Sequence, residues 1–332
     1  MGQLTMPPRD GRLAGLDLVR VFALGLVTAQ HALTLTGHDE WAGFAGLSVG
    51  QVGVALFLGV SVLLAAESRR PPLPWLAQRL RRVFPAYWLA IGASFFLTWL
   101  TGHKRFGAAQ VVAQLLGVGL FTHGDNLVNT PTWFVSLLLV CYLGTFAARL
   151  VRAPVVAGVC ASIALAILVG VERHPWLLSH LLTYSLASTL ASVPRGYRTR
   201  IVLPVAGRLL ALALWRQAAF GYTALALIAV ELALCLRWAP RLIGMAAEYS
   251  YEYYLVHGLA LYGVIRSLPS RPLAAVCCAI VLAAATAVAL HWFVDRMDQA
   301  LSRGKAARPG PALRPAVSDA GCSEGAAAGP AG

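Results

Sequence analysis

The sequence predicts an all-α fold: a polytopic transmembrane helix bundle of about ten spans plus one short or re-entrant helix. Three observations predict it. Of 332 residues, 58% are hydrophobic and only 12% are charged, a balance too apolar for a water-soluble domain. Apolar stretches recur along the whole chain between turn signals and charges, and a helical crossing needs about 20 such residues. The basic residues segregate to alternate loops, as topology in a membrane requires.

The apolar segments run near 14–35, 47–66, 83–101, 108–122, 132–150, 154–171, 176–193, 201–215, 218–236, 250–266 and 272–294. The first is about twice as long as a secretory h-region and is interrupted by Arg20, so it reads as a span and not a cleaved leader. "MGQLTM" lacks Ser or Thr at its sixth position, which excludes N-myristoylation. The fourth segment is short and broken by Gln110 and Gln114. If it does not cross, and the N-terminus is cytoplasmic, the inner loops collect nineteen Lys and Arg and the outer loops six. If it does cross, every later loop changes side and the asymmetry collapses. The expected topology is therefore ten spans with both termini cytoplasmic, in the plasma membrane, with residues 102–131 as an outer loop holding the short helix. Residues 1–12 form a cytoplasmic N-terminal segment and 13–294 the transmembrane domain. Residues 295–332 form a cytoplasmic tail, too rich in Ala, Gly and Pro to bury a core and expected to be disordered.

The net charge of +13 follows from this topology. No basic groove interleaved with aromatics and no long Lys/Arg run is present, so no nucleic-acid partner is expected; the partner of the surface is the lipid bilayer. Cys141, Cys160, Cys235, Cys277 and Cys278 fall in apolar segments and Cys322 in the tail. None has metal-ligand spacing with His, so they read as small core residues and no metal is expected.

Four stretches carry chemistry. In "LDLVRVFALGLVTAQH", residues 16–31, Asp17, Arg20, Leu24, Thr28 and His31 are spaced 3, 4, 4 and 3 apart and share one helical face. Ionisable groups in a span cost about 2.5–3.5 kcal/mol each on insertion scales. Asp17 lies one turn before Arg20, so the two can pair. Arg20 and His31 are three turns apart, roughly 16 Å along the axis. A snorkelling Arg and a hydrogen-bonded core His explain each residue singly; both on one face suggest a site.

In "RLRRVFPAYW", residues 79–88, Arg79, Arg81 and Arg82 precede a helix that begins near Pro85, with Tyr87 and Trp88 behind them. This reads either as a positive-inside anchor with an aromatic belt or as a grip for phosphate groups at the membrane surface. In "NTPTWFVSLLLVCYL", residues 129–143, Thr130 can N-cap a helix whose first residue is Pro131. That puts Trp133 at the outer interface and leaves Ser136 facing a substrate or bonding within its own helix. In "YSYEYYLVHGLALY", residues 249–262, Ser250, Tyr253, Tyr254 and His257 share a face. Arg208, inside the eighth segment, reads as a carboxylate binder or as a partner of Glu231.

Together these residues resemble the acyltransferase-3 family of integral membrane acyltransferases, over about residues 12–294. That family has an Arg, ten intervening residues and a His in its first span, here Arg20 and His31. It has an Arg-hydrophobic-x-Pro-x-Tyr signature before the third, here Arg82, Val83, Pro85 and Tyr87, with Arg79 at a frequently basic position. It has a Trp-centred helix start, here Trp133 in "TWFVSLL", and a late Ser-x-x-x-Tyr-Leu-x-His stretch, here Ser250, Tyr254, Leu255 and His257. Two departures stand out. Many members have a Ser-x-Glu-Glu-like sequence after the Trp, where this chain reads "VSLLLV" without a carboxylate. That is closer to the branch that acetylates sugars or small molecules without an attached extracellular domain. The usual "LDGLRG" reads "LDLVRV", so the close backbone packing that Gly permits is not expected there.

The resemblance implies transfer of an acyl group, acetyl above all, from acyl-CoA to a hydroxyl of a sugar, cell-envelope glycan or secondary metabolite. No permanently bound cofactor is implied; acyl-CoA is the donor substrate. His31 is the expected catalytic base, since a hydroxyl must lose its proton as it attacks a thioester and neutral His suits that task. Arg79, Arg82 and Arg20 are the expected phosphate ligands. Asp17, Tyr87, Trp133, Ser136, Ser250, Tyr253, Tyr254 and His257 are expected around the donor or acceptor, where Tyr, Ser or Trp donors can polarise the carbonyl. A proton-coupled secondary transporter of a small solute also places His, Asp and Arg on an internal face, but no repeats or broken central helices accompany them here. The Ala-, Arg-, Gly- and Pro-rich composition suggests a GC-rich bacterial genome.

Overall fold

The computed structural model describes residues 11–306 except 67, 69, 103, 124–125, 152–174, 192, 216 and 237. The sixth apolar segment (154–171) with Cys160, residues 1–10 and the tail beyond 306 with Cys322 lie outside the described residues. The chain divides into two compact units, Met1–Val294 and Asp295–Gly332. All the chemistry discussed below lies in the first; the described part of the second continues the last helix to Ala306.

The described secondary structure is almost entirely helical. In chain order the α-helices are α1 (Gly11–Leu35), α2 (Val49–Ala66), α3 (Pro72–Thr101), α4 (Ala108–Leu115), α5 (Gly119–His123) and α6 (Trp133–Leu150). They continue with α7 (Pro175–Ala191), α8 (Arg195–Trp215), α9 (Ala219–Cys235), α10 (Arg241–Glu248), α11 (Ser250–Ser267) and α12 (Pro272–Ala306). Four segments are long and apolar enough to cross a bilayer: Ala14–Leu35, Pro72–Thr101, Thr130–Leu150 and Pro272–Ala300. Val49–Ala65, Leu177–Ala191 and Ala219–Cys235 are shorter apolar helices. Large apolar side chains point outward from this frame, among them Leu214, Leu273, Val281 and Phe96. In water such a surface would be a liability; facing lipid it costs nothing.

α1 ends where the sequence changes from "HALTL" to "TGHD". Gly37 takes the left-handed conformation at φ +80°, its N–H donates to Thr34 O at 3.3 Å, and the His38 N–H donates to Leu33 O at 2.9 Å. This pair of bonds is the Schellman stop that satisfies the last free carbonyls of a helix. A two-residue hairpin, Gly43–Phe44 paired antiparallel with Leu47–Ser48, then returns the chain into α2.

The structure corrects the start of the third span. The helix begins at Pro72, not near Pro85, and runs through Pro85 without a break. Pro72 and Pro74 sit in the first turn, where their missing N–H groups would be unpaired in any case. The interior Pro85 forfeits the backbone bond to Arg81 O; close by, the Tyr251 hydroxyl of α11 donates to Val83 O at 3.0 Å and ties α11 to α3. The extra turns carry Trp75 into the core, where it is fully buried.

The segment around Gln110 and Gln114 forms the short α4 and α5, separated by a turn at Gly117. At Gln114 the side-chain carbonyl accepts from the Val128 N–H at 2.7 Å and the backbone carbonyl accepts from the Tyr87 hydroxyl, while the side-chain NH2 is buried without a hydrogen-bond partner. Trp88 Nε1 donates to Leu115 O at 2.9 Å. The start of α6 also departs from the expected cap. Thr130–Thr132 form a 3-10 turn with Pro131 inside it, no side chain caps α6, and α6 begins at Trp133.

α1 packs against α2, α9, α10 and α11. In lipid such packing is driven by close van der Waals fit, not by escape from water. The close fit expected to be lost with the "LDGLRG" glycines is supplied by Gly15: a Cβ there would stand 1.9 Å from the Ala233 carbonyl oxygen of α9.

Candidate active site

The polar stripe of α1 faces inward and has two ends. At one end Arg20 Nη1 lies 3.8 Å from Asp17 Oδ1. Midway, Leu24 is buried and the Thr28 hydroxyl donates to Leu24 O at 2.9 Å, so Thr28 needs no partner from lipid. At the other end stands His31.

Arg20 does not stand alone. Arg79 and Arg82 from α3 and Tyr142 from α6 are near enough to act on it electrostatically. The Arg79 guanidinium carbon lies 5.8 Å from the Trp75 ring centroid and 6.0 Å from that of Tyr142. Arg149, at the end of α6, lies 4.8 Å over Trp75. It donates to Ala65 O, Ser68 O and Arg70 O at 2.6, 2.9 and 3.0 Å. Four guanidiniums thus meet around two aromatic rings. Asp17 is the only carboxylate ion-paired with any of the four among the described residues. The Nε groups of Arg20 and Arg79 and the indole N–H of Trp75 are buried without a hydrogen-bond partner. Unpaired buried donors of this kind call for an explanation, and an excess of positive charge with bare donors is what a polyanion would satisfy.

At the far end, α1 and α11 bring two imidazoles together: the His31 and His257 ring centroids are 5.2 Å apart. His257 is fully buried. Its Nδ1–H donates to Tyr254 O at 2.7 Å, because a carbonyl can only accept. Nε2 is then the basic nitrogen, and it is buried with no partner. Tyr253 stacks parallel to His257 at 6.0 Å, and the Tyr254 ring lies 5.5 Å away. Tyr254 is held by its hydroxyl donating to Pro131 O at 2.8 Å. Asn129 Nδ2 donates to Leu255 O at 2.8 Å, which fastens the turn before α6 onto this part of α11.

The structure therefore gathers Asp17, Arg20, Arg79 and Arg82 at one end of the stripe, and His31, Tyr253, Tyr254 and His257 at the other. Four sequence candidates lie elsewhere. Tyr87 holds α4, and Ser136 Oγ accepts from Leu120 N–H of α5 at 3.4 Å. Ser250 donates to Ala247 O at 2.8 Å. Trp133, half-buried and not a bare interfacial anchor, stacks on the buried His180 at 5.9 Å, whose Nε2 meets Gln51 Oε1 at 2.6 Å. Glu231 pairs with Arg198, Nε to Oε1 3.7 Å, not with Arg208, whose side chain is exposed.

Sequence reading missed Trp75, Tyr142, Arg149, Asn129 and His180. The Trp75–Arg79 stack was legible as an i, i+4 pair. By sequence Arg149 is one of the nineteen inner-loop charges, and the others give no signal above ordinary core residues.

Residues 13–292 match the acyltransferase-3 family, described as an acyltransferase domain. The chain belongs to that family. No curated protein and no solved structure matches it. In this membrane acyltransferase the matched region includes all four arginines and the paired histidines His31 and His257. Its two polar clusters, one cationic and one basic in the Brønsted sense, are joined by a single helix face.

Proposed function

We propose that this protein is an O-acyltransferase that moves an acetyl group from acetyl-CoA to a hydroxyl of a sugar, cell-envelope glycan or secondary metabolite. It works in the plasma membrane as a ten-span bundle with both termini cytoplasmic. The observation that carries the reading is the pairing of the two ends of α1: guanidiniums with bare donors at one end and two imidazoles at the other.

Arg20, Arg79 and Arg82, with Arg149 and Trp75 behind them, hold the phosphates of the donor. Asp17 orients Arg20 and keeps the cluster from full mutual repulsion. The pantetheine arm runs outward along the stripe and presents the thioester at the histidines. His31 takes the proton of the acceptor hydroxyl as that oxygen attacks the thioester carbonyl carbon. The C–O bond forms and the C–S bond breaks. The thiolate leaves and recovers a proton, ending as the free thiol. His257 Nε2 accepts the remaining ring N–H of His31 once that ring turns toward it, which fixes the His31 tautomer in the way an orienting group fixes a general base. Tyr253 and Tyr254 hold His257 in place. Trp133, Ser136, Tyr87 and Ser250 support the walls of the site through the contacts described above.

The test is incubation of the purified protein with labelled acetyl-CoA and panels of hydroxyl-bearing acceptors, with ester product and free thiol measured together. Product and thiol in equal amounts, lost in His31→Ala, support the reading. Acceptor uptake into proteoliposomes without covalent change would replace it with the transporter reading.

A further inference from the structure

We infer that Asn129 and Gly258 are positioning residues for the acyl-transfer reaction: through them the turn at residues 129–132 seats α11 so that His257 meets His31. This deepens the reading above and rests on its use of the two imidazoles.

The His257 ring is pinned within α11, because its Nδ1–H donates to Tyr254 O one turn back. Its distance from His31 is therefore set by where α11, as a body, stands against α1. In lipid that placement comes from close packing and interhelical hydrogen bonds, and the turn supplies both. The Tyr254 hydroxyl donates to Pro131 O and Asn129 Nδ2 to Leu255 O, each at 2.8 Å. Gly258 lies so near the turn that a Cβ would stand 2.8 and 3.1 Å from Pro131 Cγ and Cδ, and 3.3 Å from Asn129 Oδ1. At about 100° per residue, Tyr254, Gly258 and Leu255 share one arc of the helix and His257 lies just outside it. The grip thus falls beside the ring and leaves it turned to α1.

The turn itself is stiff. Asn129, Pro131 and Thr132 are buried. Asn129 O accepts from the Thr132 N–H at 3.0 Å and from the Thr132 hydroxyl at 2.6 Å. From behind, the Val128 N–H is held by Gln114. A proline ring so placed cannot swing aside as a flexible side chain would, so a methyl on residue 258 moves α11 and its imidazole. Displacement of a reacting group by about 1 Å can cost about 10²-fold in rate.

The experiment is steady-state kinetics on the full-length protein, with acetyl-CoA and whichever hydroxyl acceptor it turns over, beside CoA titration. Gly258→Ala should lower kcat by about tenfold to 10²-fold and leave the acetyl-CoA KM and the CoA affinity near wild type, since the arginines lie at the other end of α1. Asn129→Ala and Asn129→Asp, neither of which can donate to Leu255 O, should lower kcat in the same way but less. Pro131→Ala removes the atoms that the new methyl would meet. Added to Gly258→Ala it should recover kcat, a coupling that accumulated loss of stability would not produce. Wild-type kcat in folded Gly258→Ala and Asn129→Ala overturns the inference and leaves acyl transfer standing. So does a fall in kcat matched by a weakened grip on CoA, without recovery in the double variant. Wild-type kcat in His257→Ala, or no turnover at all, overturns the inference together with the reading beneath it. If Gly258→Ala does not assemble, the two Asn129 variants decide.

Discussion

His31 and His257 come from α1 and α11, yet their rings lie 5.2 Å apart, and the one nitrogen of His257 that can accept a proton is buried without a partner. A bare acceptor costs about 1–3 kcal/mol relative to a paired one. Such a cost persists at a site where a donor arrives during turnover. His31→Ala is expected to lower kcat by roughly 10²–10⁴-fold, the usual contribution of a general base. His257→Ala is expected to lower kcat less and to leave the donor KM near its wild-type value. The check is steady-state kinetics on protein that elutes as a single folded species; full activity in His31→Ala removes the assignment.

The arginine cluster predicts a different kinetic signature. Arg79→Ala and Arg82→Ala should raise the donor KM by roughly tenfold or more, since a charge-assisted hydrogen bond is worth about 1.5–3 kcal/mol, with a smaller change in kcat. Arg149→Ala should act in the same direction through loss of its stack on Trp75. Titration with CoA itself, monitored by calorimetry, reads this without catalysis. Unaltered CoA affinity in Arg79→Ala would place the phosphates elsewhere.

Close helix contact makes a stability prediction. Gly15→Ala puts a methyl 1.9 Å from the Ala233 carbonyl oxygen, a backbone atom that cannot swing away. Overpacking of this kind costs about 1–3 kcal/mol, so thermal unfolding in detergent should shift down. Tyr254→Phe keeps the ring and loses the bond to Pro131 O, with an expected cost of about 1 kcal/mol and a smaller shift. Wild-type unfolding of Gly15→Ala would contradict the α1–α9 packing.

Topology is open to direct labelling. In a background without other cysteines, Lys104→Cys, in the loop after α3, should react with an impermeant maleimide on intact cells. Arg70→Cys, before α3, should react only after permeabilisation. The reverse pattern would invert the bundle.

Much of this could be read along one helix at a time. The inward stripe of α1 followed from spacing alone, because residues three and four apart share a face whatever the rest of the chain does. Interruption of the fourth segment at Gln114 likewise signalled a short helix, and its amide oxygen accepts from the Val128 N–H. Readings that needed a second helix fared less well. Tyr87 and Ser136, site residues by motif, also fasten α4 and α5, contacts their motifs do not show. Glu231 takes Arg198 as its partner, not Arg208. Neither choice is visible in sequence, because both depend on which faces the packed helices turn toward each other.

Composition and periodicity settled that this is a membrane-embedded helical protein, and the order of its motifs settled its family, because both are properties of one chain read in register. Only tertiary packing decided that the His257 and His31 rings meet and that Trp75 and Arg149 lie with the arginines. Those features arise where helices distant in sequence meet, and such meetings are set by the fit of whole surfaces, not by any local run of residues.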